Sequence, residues 1–218
     1  MAKVVSTGIR GLDELLSGGL QPGSCNLVEG VPGTGKTTVG VQFVYTGALS
    51  GEPGIIITFE QFPQQLKRDA ANLGWDLAGL EQREQVKIIC TSPEVFLEQL
   101  RAADGFIEMT AAELGARRIL LDSVSQLSQL GVSPGELRAA AYGMMNGLRR
   151  AGLTAMITKE LESLDTSDVP FEEYLSDCVI RLRYDMTDND ERRRYVEVLK
   201  SRGGPHVSGK HMLELGHG

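Results

Sequence analysis

Only three of the 218 residues are cysteine and three are histidine, which leaves little material for a disulfide scaffold or a zinc site. Cys25, Cys90 and Cys178 are odd in number and far apart, and each sits in an apolar, strand-like run, so they read as buried free thiols. His206, His211 and His217 have no zinc-type spacing with them. No apolar run approaches the ~20 residues that cross a bilayer. The stretch Met1-Ala2-Lys3-Val4-Val5-Ser6-Thr7 lacks the apolar segment of a secretory signal, and the expected location is cytoplasmic, away from membranes. Basic residues are also in deficit, 22 Lys and Arg against 29 Asp and Glu, a net charge of −7. Such a surface has no general pull toward nucleic acid or anionic lipid. Internal repeats, low-complexity tracts and linkers are missing too, and the length is right for one domain over residues 1–218.

What is present is an ordinary globular balance, 41% hydrophobic and 23% charged, arranged as strands alternating with helices. The pattern predicts strands over Ser24–Glu29, Gly54–Phe59, Val86–Cys90, Arg118–Leu121 and Leu153–Thr158. Between them fall helices over Lys36–Leu49, Pro63–Leu73, Pro93–Leu114 and Pro134–Ala151. Alternation of this kind implies an α/β fold with a mainly parallel sheet flanked by helices. Ser92-Pro93 and Ser133-Pro134 each place a capping serine before a proline at the first helical position, and Ser133 with Glu136 forms a capping box. After Asp177 the pattern changes to two strands, Cys178–Tyr184 and Arg194–Lys200, read as an antiparallel hairpin that extends the sheet edge. The tract Asp190-Glu191-Arg192-Arg193-Arg194 reads as part of its solvated turn. Trp75, Met144 and Met145 read as core or interface.

Gly30-Val31-Pro32-Gly33-Thr34-Gly35-Lys36-Thr37 fits the phosphate-binding pattern G-x-x-x-x-G-K-[ST], and it lies between a predicted strand and a predicted helix, where that pattern must lie to work. Glycines at 30, 33 and 35 let the backbone N–H groups wrap a phosphate at a helix N-terminus, where the helix dipole also favours negative charge. The residues from Gly30 to Thr38 are therefore the predicted nucleotide-binding set. Lys36 is expected on the outer phosphates, and the Thr37 hydroxyl on a magnesium ion bridging two phosphate oxygens.

Three further features are judged against this loop. Ile119-Leu120-Leu121-Asp122 is an apolar strand ending in an acid; alone, that acid reads rather as a turn or capping residue, and it is the phosphate loop one large α/β unit earlier that makes it the residue expected to hold magnesium through water. Glu60 ends the strand Ile55-Ile56-Ile57-Thr58-Phe59, at the edge of an open α/β sheet where ligands bind, and can act as a base toward water. Gln61 beside it can orient water but cannot take its proton. Lys200 and Arg202, two residues apart, project from one face of the last strand, where they serve either as guards of a sheet edge or as a pair that wants an anion.

Taken together these residues resemble one ATPase repeat of the circadian-clock KaiC family, within the RecA superfamily. The resemblance runs through Thr7-Gly8-Ile9-Arg10-Gly11-Leu12-Asp13-Glu14-Leu15, Gly18-Gly19-Leu20, the phosphate loop, Thr58-Phe59-Glu60, Gly74-Trp75-Asp76-Leu77 and Leu121-Asp122-Ser123. It continues in Glu172-Glu173-Tyr174-Leu175-Ser176-Asp177 and in Lys200-Ser201-Arg202-Gly203 with His206, and so covers almost the whole chain. It implies a RecA-type P-loop core with a C-terminal antiparallel hairpin, and a ring of six identical subunits with ATP and magnesium at each interface. It also implies Glu60 as the catalytic glutamate, and Lys200 and Arg202, with His206 nearby, reaching the neighbour's nucleotide. KaiC joins two such repeats, and the sequence here holds one. Where the family has two adjacent acids, this chain reads Glu60-Gln61, so slow hydrolysis is expected. Where the second repeat carries its phosphorylated Ser-Thr pair, this chain reads Glu173-Tyr174, so no autokinase activity of that kind is expected.

The sequence thus predicts an ATPase whose nucleotide state controls its assembly or its hold on a regulatory protein. One rival is a RecA- or RadA-like DNA recombination or repair motor. Its DNA-facing loops would be Ser123-Val124-Ser125-Gln126-Leu127-Ser128-Gln129, with no basic residue, and residues 159–173, with six acids and one lysine. Loops of that charge repel phosphates, and a zinc-binding Cys cluster of the RadA type is missing as well. Another rival is a scaffold gated by nucleotide that hardly turns it over, a possibility raised by Gln61.

Overall fold

The computed structural model describes residues 4–101, 105–131, 133–162, 173, 175–186 and 191–216. The chain opens with α1 (Leu12–Leu15), then β1 (Cys25–Gly30), α2 (Lys36–Leu49), β2 (Gly54–Thr58), α3 (Pro63–Asn72), α4 (Leu77–Gln82) and β3 (Val86–Cys90). It continues through α5 (Pro93–Arg101), α6 (Phe106–Leu114), β4 (Arg118–Asp122), a 3-10 turn (Val124–Leu130), α7 (Pro134–Arg150) and β5 (Thr154–Glu160). Strands β6 (Cys178–Met186), β7 (Arg192–Ser201) and β8 (His211–Leu213) end it. Among the described residues these strands form one sheet in the order β3-β2-β4-β5-β1-β6-β7-β8. The six strands from β3 to β6 run parallel, and β7 and β8 are antiparallel. This is the predicted class, a mostly parallel sheet flanked by helices with an antiparallel hairpin at its C-terminal edge.

The apolar runs are continuous because each central strand feeds two cores, successive side chains pointing to opposite faces. Val28, Ile56, Leu120 and Met156 face α2, whose Val39, Phe43 and Val44 complete that layer. Leu27, Ile55, Ile57, Leu121 and Ile157 face the other way, toward Met144, Met145 and Leu148 of α7 and Phe96 of α5. Trp75 stacks on Tyr45 in the first layer, and with Met144 and Met145 it fills core as predicted. Ser133 accepts from the Glu136 N–H while the Glu136 carboxylate accepts from the Ser133 N–H, the capping box expected at the start of α7.

The structure departs from the predicted elements at several points. The single helix expected over Pro93–Leu114 is two, because Gly105 takes an extended conformation and caps a new start at Phe106. Helices α1 and α4 and strand β8 are too short to carry a period and were not foreseen. Cys25 and Cys178 are buried, and burial pushes both thiols up to about 12. Cys90, expected to be buried, is exposed, because it ends the edge strand β3, which has a neighbour on one side only. Strand β7 begins at Arg192, so Arg192, Arg193 and Arg194 belong to the sheet and not to a solvated turn. Residues 187–190 of that turn, Tyr174 and most of the acidic stretch 159–173 lie outside the described residues.

Candidate functional site

The phosphate loop leaves the end of β1 and enters α2, with Gly33 at φ 78° and Gly35 at φ 102°. Side chains other than glycine rarely take that conformation, and a Cβ on Gly35 would also come within 2.6 Å of Leu215. The loop therefore needs its glycines for shape as well as for approach to a ligand. It floors an open pocket of about 620 Å³ at the carboxyl edge of the sheet. Pro32, Gly33, Gly35, Lys36, Thr37 and Thr38 line that pocket from the loop and α2, Glu60 and Gln61 from the end of β2, and Asp122 from the end of β4. Although β2 is the next strand after β1 in the chain, β4 and β5 lie between them in the sheet, and it is the sheet order that lines up the ends of β1, β2 and β4 along one edge.

Each predicted site residue can be placed. Lys36 is buried, and its Nζ donates to the carbonyls of Gly30 at 2.9 Å and Val31 at 3.1 Å. Burial holds its ammonium below the usual lysine range, while the carboxylates of Glu160 and Asp122 act in the opposite sense. Thr37 Oγ1 donates to Asp122 Oδ2 at 2.8 Å, and the other Asp122 oxygen accepts from the Thr158 hydroxyl. Two hard oxygen donors at the foot of a phosphate loop suit magnesium, which takes few protein ligands and keeps several waters. Glu60 is exposed to the pocket and accepts from Gln126 Nε2 of the 3-10 turn. Gln61 lines the same pocket, but its side-chain amide donates to Asp69 of α3 at 2.7 Å. Of this adjacent pair, it is the carboxylate that has no tie to α3 in this arrangement.

Lys200, Arg202 and His206 do not line this pocket. Lys200 pairs with Val179 near the start of β6, and Val179 pairs with Leu27 of β1, three residues before Gly30. At ~3.3 Å per residue along a strand and ~4.8 Å between strands, Lys200 is rooted roughly 10 Å short of its own loop and two strands aside. Its Nζ donates to the Glu173 carbonyl at 2.7 Å, and Arg202 Nη1 lies 4.0 Å from Asp177 Oδ1. Burial first, and the nearby Arg202 charge second, hold the Lys200 ammonium below its usual range. Strand β7 ends at Ser201, so Arg202 sits in the following turn and not on the strand face with Lys200, although its charge is close enough to act on that lysine.

The pocket has contributors that sequence reasoning missed: Glu160 at the end of β5, Ser123, Gln65, Leu215 and Arg194. Arg194 Nη2 lies 3.2 Å from the Tyr184 hydroxyl, which itself donates to the Gly33 carbonyl of the loop. Arg192 and Arg194 both stack on the Tyr184 ring, at 5.0 and 5.1 Å from its centroid. The available signal was the alternation of Arg192 and Arg194 on one face of a strand opposite Tyr184, which needed the hairpin register to be seen.

A glycine-shaped phosphate loop at the carboxyl edge of a mostly parallel sheet, closed on one side by an antiparallel hairpin, defines a RecA-type P-loop fold. The comparisons with known proteins narrow this. The family model for the KaiC ATPase matches residues 5–218, and the chain belongs to that family. It is similar to the circadian clock oscillator protein KaiC of Parathermosynechococcus lividus, 34% identical over 220 residues, covering 96% of this chain and 40% of that protein. Against the protein of the same name from Synechococcus elongatus it is 34% identical over 220 residues, covering 96% of this chain and 42% of the relative. The chain thus spans about two fifths of the length of these relatives. Among solved structures, the crystal structure of a KaiC-like protein from Pyrococcus horikoshii superposes with a TM-score of 0.88 at 31% identity, covering 100% of this chain and 97% of the other. Among the described residues no helix is long and apolar enough to cross a membrane.

Proposed function

We propose that this chain binds MgATP and hydrolyses its β-γ phosphoanhydride slowly, at the interfaces of a homo-oligomeric ring, most simply a hexamer. Its nucleotide state then sets how tightly the ring assembles or holds a regulatory protein. The observation that carries this reading is a division of labour across one subunit. Lys36, Thr37, Asp122 and Glu60 converge on one pocket, whereas Lys200 and Arg202 do not line it, Lys200 being paired near the amino end of β6. A pair of close cations so placed is suited to the phosphates of a neighbour.

In this reading the backbone N–H groups of the loop and the Lys36 ammonium hold the triphosphate, with Lys36 turning from the Gly30 and Val31 carbonyls to the outer phosphates. Thr37 and Asp122 would hold the magnesium ion, which supplies neutralisation of phosphate charge when bound. Glu60 takes the proton of the attacking water. Lys200 and Arg202 of the adjacent subunit, with His206 beside the nucleotide, stabilise the charge that develops on the transferred phosphoryl group.

The test is phosphate release per subunit measured beside ATP affinity and particle mass. The expected result is slow turnover, micromolar or tighter MgATP binding lost in Lys36→Ala, and a ring in ATP that loosens in ADP. Tight binding with no phosphate release would favour a nucleotide-gated scaffold, and turnover stimulated several-fold by single-stranded DNA would favour a recombination motor.

A further inference from the structure

Three charged side chains that the reaction does not use meet on the sheet face opposite α2. Glu29, one residue before the phosphate loop, is fully buried, and Arg181 of β6 lies directly across from it in the strand register. The Arg181 guanidinium donates through Nε to Glu29 Oε1, and a terminal nitrogen donates to Glu173 Oε1 at 3.0 Å. The second Glu29 oxygen, also buried, has no hydrogen-bond partner among the described residues. Lys159 of β5, on the other side of Glu29 in the register, adds positive charge to the same place. Burial raises the Glu29 carboxyl above its ordinary range, and Arg181 works against that rise. A charge taken out of water in this way is tolerated only with a partner, so Arg181 is bound to Glu29 far more firmly than a surface arginine would be.

The chain of contacts does not end there. The main-chain carbonyl of Glu173, whose carboxylate Arg181 holds, accepts from Lys200 Nζ at 2.7 Å. At its other end the chain reaches the loop without slack. A Cβ on Gly30 would meet the Leu182 carbonyl at 2.5 Å, so β1 and β6 touch where the loop begins.

We propose that Arg181 is a positioning residue. It fixes Glu173, and through the Glu173 carbonyl Lys200, at a set distance from the phosphate loop of the same subunit. The cation offered to a neighbour's ATP is then placed by the loop that holds the subunit's own ATP, and successive sites around the ring are linked through Glu29, Arg181, Glu173 and Lys200. The proposal rests on the reading of Lys200 as a cation that acts in trans.

Arg181→Ala would strand the buried Glu29 and is a poor test, because loss of activity could then be loss of fold. Glu173→Ala leaves the Glu29–Arg181 pair intact and cuts the link beyond it. It should lower kcat roughly ten- to a hundredfold, the scale of a catalytic group displaced by about an ångström, with ATP affinity and melting temperature unchanged. Glu173→Gln, which keeps an acceptor for Arg181, should recover most of that loss. Combined with Lys200→Ala, Glu173→Ala should add no further loss, since both remove the same interaction. If Lys200→Ala is slow but Glu173→Ala turns over like the parent, or if the two losses multiply, the positioning role is wrong while the trans reading stands. If Lys200→Ala itself turns over like the parent, both fall.

Discussion

Thr37 and Asp122 are 85 positions apart in the chain, yet the hydroxyl of one donates to the carboxylate of the other at 2.8 Å. The contact joins the first turn of α2 to the end of β4, strands β4 and β1 being separated in the sheet only by β5. It places a neutral and an anionic oxygen together beside the loop, which is the donor set magnesium prefers. Asp122→Asn keeps the shape and loses the charge. The expected outcome is that ATP affinity, measured by calorimetry with magnesium and again with a chelator, becomes nearly equal in the two conditions. Turnover should fall with it. A variant that retained the full magnesium dependence of the parent would remove Asp122 from the metal site.

The adjacent Glu60 and Gln61 separate cleanly in the structure. Gln61 is engaged by Asp69 at 2.7 Å, and Glu60 opens on the pocket with Gln126 as its partner. Glu60→Gln should leave MgATP bound and lower turnover by roughly the 10²–10⁴-fold that follows loss of a general base. Gln61→Glu should change turnover much less, although it brings a carboxylate close to Asp69 and can loosen the start of α3. Single-turnover phosphate release decides between them, and a rate governed by Gln61→Glu alone would shift the base by one residue.

Lys36 is expected to tie nucleotide affinity to pH. Burial lowers its value below the ordinary 10.5, with Glu160 and Asp122 opposing the shift. The ammonium form is the one that attracts phosphate, so bound ATP favours protonation. Affinity should therefore be full at neutral pH and decline as pH rises through the lowered Lys36 value, earlier than an ordinary lysine would cause. Lys36→Arg holds its charge to higher pH and should flatten the slope of affinity against pH even where it weakens binding overall. Calorimetric titration from neutral to alkaline pH is the measurement, and identical slopes for the two proteins would show that another group sets the dependence.

The part of this site legible in the sequence is the part built from contiguous spacing. The loop from Gly30 to Thr38 announces itself by its glycines and Lys36, and Asp122 and Glu60 stand out as acids ending apolar strands. Arg194, Glu160 and Leu215 were not legible because each reaches the pocket through sheet order or chain return, quantities that no local pattern encodes. Arg194 in particular belongs to an arginine-rich tract that solvent would explain as well, until the pairing of Tyr184 with Arg194 puts it over the loop. In the sequence Glu29 is only the last residue of a strand. Its burial follows from having β5 on one side, β6 on the other and a helical layer above, which a single strand cannot reveal. The helix break at Gly105 was missed for a simpler reason, since apolar residues continue at helical spacing on both sides of it.

If Lys200 and Arg202 act on nucleotide, the fold favours action on a neighbour's. Lys200 is paired near the amino end of β6 and is held to the Glu173 carbonyl, and Arg202 lies beside Asp177. Neither residue lines the pocket of its own chain, and together they carry two positive charges that a neighbour's triphosphate would relieve. ATP should for that reason tighten the assembly more than ADP does, because only ATP brings the outer phosphate charge to the interface. Arg202→Ala should bind ATP and hydrolyse it poorly, and Glu60→Gln should do the same for a different reason. In a ring made of either variant alone, no interface has both an intact Glu60 and an intact Arg202. In an equal mixture of freely exchanging subunits, about a quarter of the interfaces of a closed ring regain both. Activity should reappear in the mixture and follow the product of the two subunit fractions, greatest at the equal mixture, that random pairing gives. If mass measurements show mixed rings and no activity returns, the cations act within their own subunit or not at all.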